Sequence, residues 1–271
     1  MKAIITSLLL VVGFVNAQTY RFYYEMNFKI DSLAEKHTKE LMVLDVNSKE
    51  TKFYANDFIF VDSAYIANKQ YFSKAEFKDR IKRKTGSSEN IRYIEKPPMY
   101  YSIKSTDDFK WKIHPKTTKI GNFMVQRATT SFGGRDWEAW FAKDIPFSEG
   151  PYKFRGLPGL ILQIKDSKNH YIFNFVESKN LKKDYDTTHF LETLYGGRKP
   201  LEISEKQWKK LQLEYFHNPT KDIDLNTFKV IDKDGNPVKL DIKKLTERYQ
   251  KRLRKNSNVL ELDKAVQYPE K

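Results

Sequence analysis

Between Asn90 and Val176 the chain reads as one short strand after another, and this run limits the possible folds more than any other feature. Ile91–Ile94, Met99–Ile103, Phe109–Ile113, Phe123–Thr130, Trp137–Ala142, Leu160–Lys165 and Tyr171–Val176 are rich in β-branched and aromatic residues. Turn-forming clusters separate them, among them Pro97-Pro98, Thr106-Asp107, Gly133-Gly134 and Ser167-Lys168-Asn169. Such gaps cannot hold the helix of a parallel crossover, so they favour antiparallel meander connections. Thr19–Ile30, Glu40–Asn47 and Phe53–Val61 read as earlier strands, the last broken at Asn56-Asp57. The expected class is mainly β (α+β): a long antiparallel, half-barrel-like sheet with a few covering helices.

Helix signals are fewer. Ser73-Lys-Ala-Glu76 spells a capping box, with Phe72 and Phe77 placed as its hydrophobic staple, which predicts a helix over 74–84 stopped by Gly86. Its basic residues Lys74, Lys78, Arg80, Lys82, Arg83 and Lys84 would form a solvated face. Ser204-Glu-Lys-Gln207 spells a second box with Ile203 and Trp208 as staple; Trp208, Leu211 and Tyr215 share a face before Asn218-Pro219 ends it. Lys229–Leu240 reads as a hairpin around Asp234-Gly235, and Asp241–Arg254 as a third helix with Ile242, Leu245, Tyr249 and Leu253 on its apolar side. The chain divides into an antiparallel β domain over 18–200 and a helical and hairpin extension over 201–271 packed on it.

Residues 1–17 read as a secretory signal: Lys2 is the positive start, Ala3 to Val15 the apolar run, and Val15-Asn16-Ala17 a small-residue cleavage site before Gln18. The run is shorter than the roughly 20 apolar residues a spanning helix needs. Cleavage leaves 271 − 17 = 254 residues, exported to the periplasm, the outer membrane or the cell surface and not membrane-spanning. The absence of cysteine excludes disulfides, lipidation at a terminal cysteine, thiolate catalysis and sulfur-based metal sites. Lys and Arg exceed Asp and Glu by 49 − 35 = 14, or 13 once Lys2 is removed. Nucleic acid is excluded as a partner by export. The surplus serves either plain solubility or attraction to an anionic envelope surface or an outer-membrane protein.

Gly150-Pro-Tyr-Lys-Phe-Arg-Gly-Leu-Pro-Gly-Leu-Ile161 is the most distinctive string, preceded by Gly134-Arg-Asp-Trp-Glu-Ala-Trp-Phe141 and Asp144-Ile-Pro-Phe147. Leu157-Pro158-Gly159-Leu160 suits a type II turn, with Pro158 pre-set and Gly159 at positive φ; Gly156 adds a second flexible position. Beyond it Leu160, Leu162 and Ile164 alternate with Ile161, Gln163 and Lys165. On the preceding strand Trp137, Ala139 and Phe141 face one way and Asp136, Glu138 and Trp140 the other. Trp140 beside two carboxylates either lies under a covering segment or lines a cleft. The loop Asp144–Arg155, rich in Pro, Gly and aromatics, is either a fold-determining plug or a docking surface. Over about residues 120–180 these motifs resemble the GLPGLI family of bacterial envelope proteins, whose activity is not established. The resemblance implies an envelope protein.

Catalytic motifs are missing: G-x-S-x-G, S-x-x-K, H-E-x-x-H and the phosphate loop do not occur. His37, His114, His170, His189 and His217 are isolated, without metal-ligand spacing, and Asp232-Lys-Asp234-Gly235-Asn236 fits a hairpin better than a calcium loop. No metal, cofactor or catalytic residue is expected. The leading reading is a non-enzymatic binding or accessory protein, its ligand an apolar chain, a peptide or an envelope-protein partner. The candidate contact residues are Trp137, Trp140, Tyr152, Phe154, Leu157, Pro158, Leu160 and Leu162. A continuous apolar cavity lined by Leu160, Leu162, Phe173 and Trp137 would support it. The alternative is an envelope hydrolase acting on peptide or glycan, which requires Arg135, Asp136, Glu138 and Asp144 to converge in one cleft.

Overall fold

In the computed structural model, which describes residues 18–221, 230–231, 237–238 and 241–270, the chain is mainly β. Its first strand, β1 (Thr19–Phe28), lies in the middle of the sheet, paired antiparallel with β2 (Thr38–Val46) on one side and with β11 (Tyr171–Leu181) on the other. From β2 a meander runs outward through β3 (Glu50–Ala55), β4 (Arg80–Lys84), β5 (Glu89–Lys96) and β6 (Met99–Thr106). On the other side β7 (Lys112–Ile120), β8 (Phe123–Phe132), β9 (Arg135–Ala142) and β10 (Leu160–Asp166) lead back to β11. A two-residue strand, β12 (Leu201–Glu202), adds to β6 as the one parallel pair of this twelve-stranded sheet. The expected antiparallel, mainly β class is borne out.

The sheet is open, with β12 and β7 at its edges, yet it is far from flat. Ten strand spacings separate β6 from β7, which would be about 48 Å across a flat sheet. The connection between them, residues 107–111, reaches only about 20 Å fully extended. The sheet must therefore curl until its two flanks face each other, forming a trough. The trough's lining is aromatic: Tyr24, Phe53, Phe141 and Phe173 are all buried.

Helix α1 (Asp57–Ile66) joins β3 to β4, and here two readings are corrected. The strand expected to continue to Val61 stops at Ala55, and the Asn56-Asp57 break is where the helix begins. The helix expected over 74–84 does not form. Its capping groups are engaged elsewhere: the Asp57 carboxylate accepts from Ser73 Oγ (2.8 Å) and the Lys74 amide (2.6 Å), and Glu40 accepts from the Phe77 amide (2.7 Å). Ile81, Arg80 and Arg83 are buried in β4 instead, so tertiary burial overrides the local helix signal. Phe109, expected in a strand, lies in the 107–111 connection, and the strand there begins at Lys112.

The second capping box forms as read. Ser204 caps α2 (Glu205–His217), with its side chain accepting from the Gln207 amide and Gln207 reaching back to the Ser204 amide. Asp241 caps α3 (Ile242–Lys255). Val230–Ile231 (β13) and Pro237–Val238 (β14) pair antiparallel, as the hairpin reading requires; its Asp234-Gly235 tip lies outside the described residues. No helix among the described residues is long and apolar enough to cross a membrane.

Candidate functional site

The segment between β9 and β10, residues 143–159, fills the trough. It folds back on itself through an antiparallel bridge between Glu149 and Arg155 and a bond from the Gly156 amide to Ser148 O (2.9 Å). Its outgoing end is tied to its own beginning: Leu160 N donates to Ile145 O (3.1 Å) and Ile161 N to Glu149 O (3.0 Å). Between these ties Tyr152 adopts φ 59°, a left-handed conformation that costs a non-glycine residue free energy and persists only where surroundings enforce it.

Side chains from this loop reach both flanks of the trough. The Tyr152 ring meets Phe53 and Phe77 edge-on, at 6.3 and 6.2 Å between centroids. Phe154 packs on Trp137 at 4.7 Å, and on Phe109 and Phe132. Leu157 is fully buried, as are Leu160 and Leu162 on the strand that follows; Pro158 stays exposed. Trp140 is 8% exposed, its indole donating to Glu138 Oε1 (3.3 Å) while the Lys116 ammonium lies over its ring. The structure thus gathers Trp137, Tyr152, Phe154, Leu157, Leu160 and Leu162 into the core and places Trp140 under cover on the other face. No accessible surface remains on Leu160, Leu162 or Phe173, so the apolar cavity they were expected to line is occupied by the protein's own loop.

The turn at its end differs from type II. Gly159 has φ 148°, its amide bonds back to Leu157 O (2.8 Å), and the Leu160 amide goes to Ile145, not to Leu157. Glycine is required by close approach: a Cβ here would stand 2.1 Å from the Ala142 carbonyl oxygen.

Three charged residues of the loop were not singled out in the sequence, and each is anchored to a different element. Glu149 is buried against Arg83 of β4 and accepts from Thr51 Oγ1 (3.4 Å). Burial raises its carboxyl pKa, opposed by Arg83 and Arg155. The Lys153 ammonium is buried between Glu261 (2.6 Å), Asp107 (3.3 Å) and Ser105 Oγ (3.1 Å); burial lowers its pKa against the pull of the two carboxylates. Arg155 donates to Asp107 O (3.1 Å) and lies near Asp108.

Glu261 belongs to the segment after α3, which carries no sequence motif and still enters the core. Arg135 of β9 donates to Leu260 O (2.9 Å), Val259 O (2.7 Å), Asn258 Oδ1 (2.8 Å) and Asp166 (2.9 Å). Tyr171 donates to Asn258 O (2.7 Å), and Tyr152 to Glu261 Oε1 (2.5 Å). Burial would raise the Glu261 carboxyl, but Lys153 and Lys264 outweigh it and hold the pKa down to about 2.

Outside this plug, two open clefts stand out. One, of about 600 Å³, runs along the loop's outer side, lined by Tyr20, Asn47, Phe147, Ser148, Glu149 and Arg155 among others. Tyr20 and Phe147 form its aromatic wall, their rings 4.7 Å apart. The other, about 630 Å³, lies beside β8 and β9 and holds Asp136 and Glu138 among Lys110, Lys112, Arg127 and Lys165. There Asp136 accepts from Ser131 (2.6 Å) and Glu138 from Arg127 (2.7 Å), an ordinary paired surface. Arg135 is buried on the chain's end and Asp144 is exposed in the loop, so the four polar residues do not converge.

Residues 133–163 match the model of a family described as a protein of unknown function (Porph_ging). The segment runs from the β8–β9 turn through the plug into β10, which is the stretch carrying the distinctive motifs, and the expected likeness to an uncharacterised family holds there. No curated protein matches the chain in sequence. In fold it is similar to PNGF-II, solved in C2 and P21 space groups. Each comparison gives a TM-score of 0.52 at 18% identity over 72% of this chain. The chain spans about a third of the PNGF-II chain, 32% and 33% in the two forms. At that identity the likeness is one of fold alone.

Proposed function

We propose that the protein is a non-enzymatic binding or accessory protein of the cell envelope, and that its ligand sits in the cleft along the plug's outer side. The observation that carries this is the cleft's construction: an aromatic wall of Tyr20 from β1 and Phe147 from the loop shares the cleft with Arg155 and Glu149, which the loop's internal bridge holds. Such a pairing of ring faces with a few convergent polar groups suits a polar ligand with a planar part and an acidic group for Arg155. An acyl chain fits less well, because the apolar trough that would hold it is already filled. Read with the GLPGLI-like motif, the match to an uncharacterised family favours an exported protein, in the periplasm or on the outer membrane.

Glu149 keeps the hydrolase reading in view, since a buried carboxyl with a raised pKa beside a cleft is a common mark of acid–base chemistry. Among the described residues it is the one carboxylate lining this cleft, however, and it is engaged by Arg83, so none of them sets a second carboxylate across from it as glycoside hydrolysis requires. Native mass spectrometry of protein recovered from its own envelope tests the proposal. A co-purifying small ligand that disappears in a folded Phe147→Ser variant supports it. A folded Glu149→Gln variant that retains ligand but loses its cellular role would establish catalysis instead.

A further inference from the structure

The connection between β3 and β4 presents a large apolar surface that none of the described residues covers. One side of α1 is well seated: Phe58 stacks on Phe190 at 5.8 Å, and Val61 is buried. Large apolar side chains also stand on the parts of the helix turned to solvent, beside Ser63. Phe60 is 55% exposed and Ile66 67%, followed by Phe72 at 82%. An ordinary surface helix carries polar residues there, and clustered apolar exposure on this scale marks an interaction site.

The exposed aromatic is held out by the structure. Tyr71 donates its hydroxyl to Asp57 (2.9 Å), Ser73 its hydroxyl (2.8 Å) and Lys74 its amide (2.6 Å), so the residues on both sides of Phe72 are fastened to one carboxylate. Tyr71 packs near Phe60, 6.5 Å between ring centroids, which joins the helix and loop parts into one patch. Leu33, 89% exposed in the β1–β2 connection, lies at this same end of the sheet, because the Asn56 amide bonds to Leu41 O of β2. The exposed charges within 57–78 are Lys69, Lys74 and Lys78 against Glu76 alone.

We infer that this end of the sheet docks on a lipid surface bearing anionic headgroups, inserting Phe60, Ile66 and Phe72 at the interface while the lysines meet the headgroups. Aromatic and aliphatic side chains rimmed by lysine are what such an interface selects, and the basic balance of the whole chain, +14, adds long-range attraction. The patch lies apart from the proposed cleft and does not depend on it.

Sedimentation with vesicles is the test, using phosphatidylcholine alone and phosphatidylcholine with phosphatidylglycerol. The full chain is compared with its Phe60→Ser/Phe72→Ser variant; both carry residues 1–17, so any difference belongs to the patch. The expected result is binding to the anionic vesicles that weakens with salt and falls about tenfold or more in the variant, whose melting is unchanged. Equal binding by chain and variant overturns the inference, as does failure of the full chain to bind anionic vesicles. Concentration-dependent self-association that the variant abolishes, without vesicle binding, would reassign the patch to a second copy.

Discussion

Gly159→Ala is the sharpest single test of how the plug is held. The added Cβ would lie 2.1 Å from the Ala142 carbonyl oxygen, 2.6 Å from its carbon and 2.9 Å from Lys143 Cα, all backbone atoms at the end of β9. Real Cβ atoms do not approach that closely, so the turn and the strand end must separate. Moving them strains the bond from Leu160 N to Ile145 O. Two contributions add. A non-glycine residue at this positive φ costs about 1–2 kcal/mol, and forcing extra volume into a packed region about 1–3 kcal/mol. The expected loss is therefore about 2–5 kcal/mol, a large part of the roughly 5–15 kcal/mol that holds a domain together.

Urea denaturation of the variant and of Gly121→Ala measures it. Gly121 has φ 56° with open space where a Cβ would stand, so its substitution carries the conformational cost alone, about 1 kcal/mol. Pro158→Ala, at an exposed position, should cost under about 1 kcal/mol. The midpoint should fall far more for Gly159→Ala than for the other two, with an unchanged slope. A Gly159→Ala loss equal to that of Gly121→Ala would refute the close approach, and with it the account of why this turn is glycine.

Glu261, held down to about 2 from 4.5, gives stability that is complete above pH 4.5 and lost as pH falls toward 2. A drop of about 3 kcal/mol over that window is expected, absent in Glu261→Gln, which should itself cost several kcal/mol by stranding Lys153. Glu40 behaves oppositely: burial, with Asp57 and Glu76 near, raises it to about 7, so stability present below pH 4.5 is lost as pH rises through 7. Glu40→Gln should therefore stabilise the protein by about 1–2 kcal/mol at pH 8, after allowance for partial exposure, and by almost nothing at pH 4, as read by thermal melting. Export with cleavage after Ala17 predicts that amino-terminal sequencing of the envelope-located protein begins at Gln18; cytosolic chain still starting at Met1 would refute it.

The strands were legible because half-buried strands alternate with a period of two, and the turns between them carry Gly, Pro and Asn. The helix at Ser204 was legible for a local reason as well: its capping box is satisfied within four residues. At Ser73 the same spelling misled, since its hydroxyl is claimed by Asp57, sixteen residues earlier. The first half of α1, through Val61, was read as strand because exposed Phe60 beside buried Phe58 and Val61 blurs the helical period. Asn258 and Glu261 are polar residues in a segment without a motif, and nothing local announces that Arg135 and Lys153 wait for them in the core. Buried ion pairs join elements far apart in sequence, so a reading of neighbours cannot find them.

These pairs also explain how a loop full of aromatics takes one position in a trough that would accept several. Apolar contact is non-directional, and Tyr152 and Phe154 could exchange pockets at modest cost. Charges cannot be exchanged in this way. Glu149 requires Arg83 on β4, Lys153 requires Glu261 on the chain's end, and Arg155 requires the Asp107–Asp108 corner between the two meanders. Sliding the loop by one residue would bury Glu149 and Lys153 without their partners, at several kcal/mol apiece. The plug's register is thus set by two buried ion pairs and the Arg155 bond to Asp107 O, on three separate elements, and the aromatic packing follows from it. Glu149 and Arg155, the two residues of the loop's internal bridge, are also the charged groups facing the outer cleft. A ligand bound there meets side chains whose positions were settled by folding, so the ordering cost of recognition has already been met before binding.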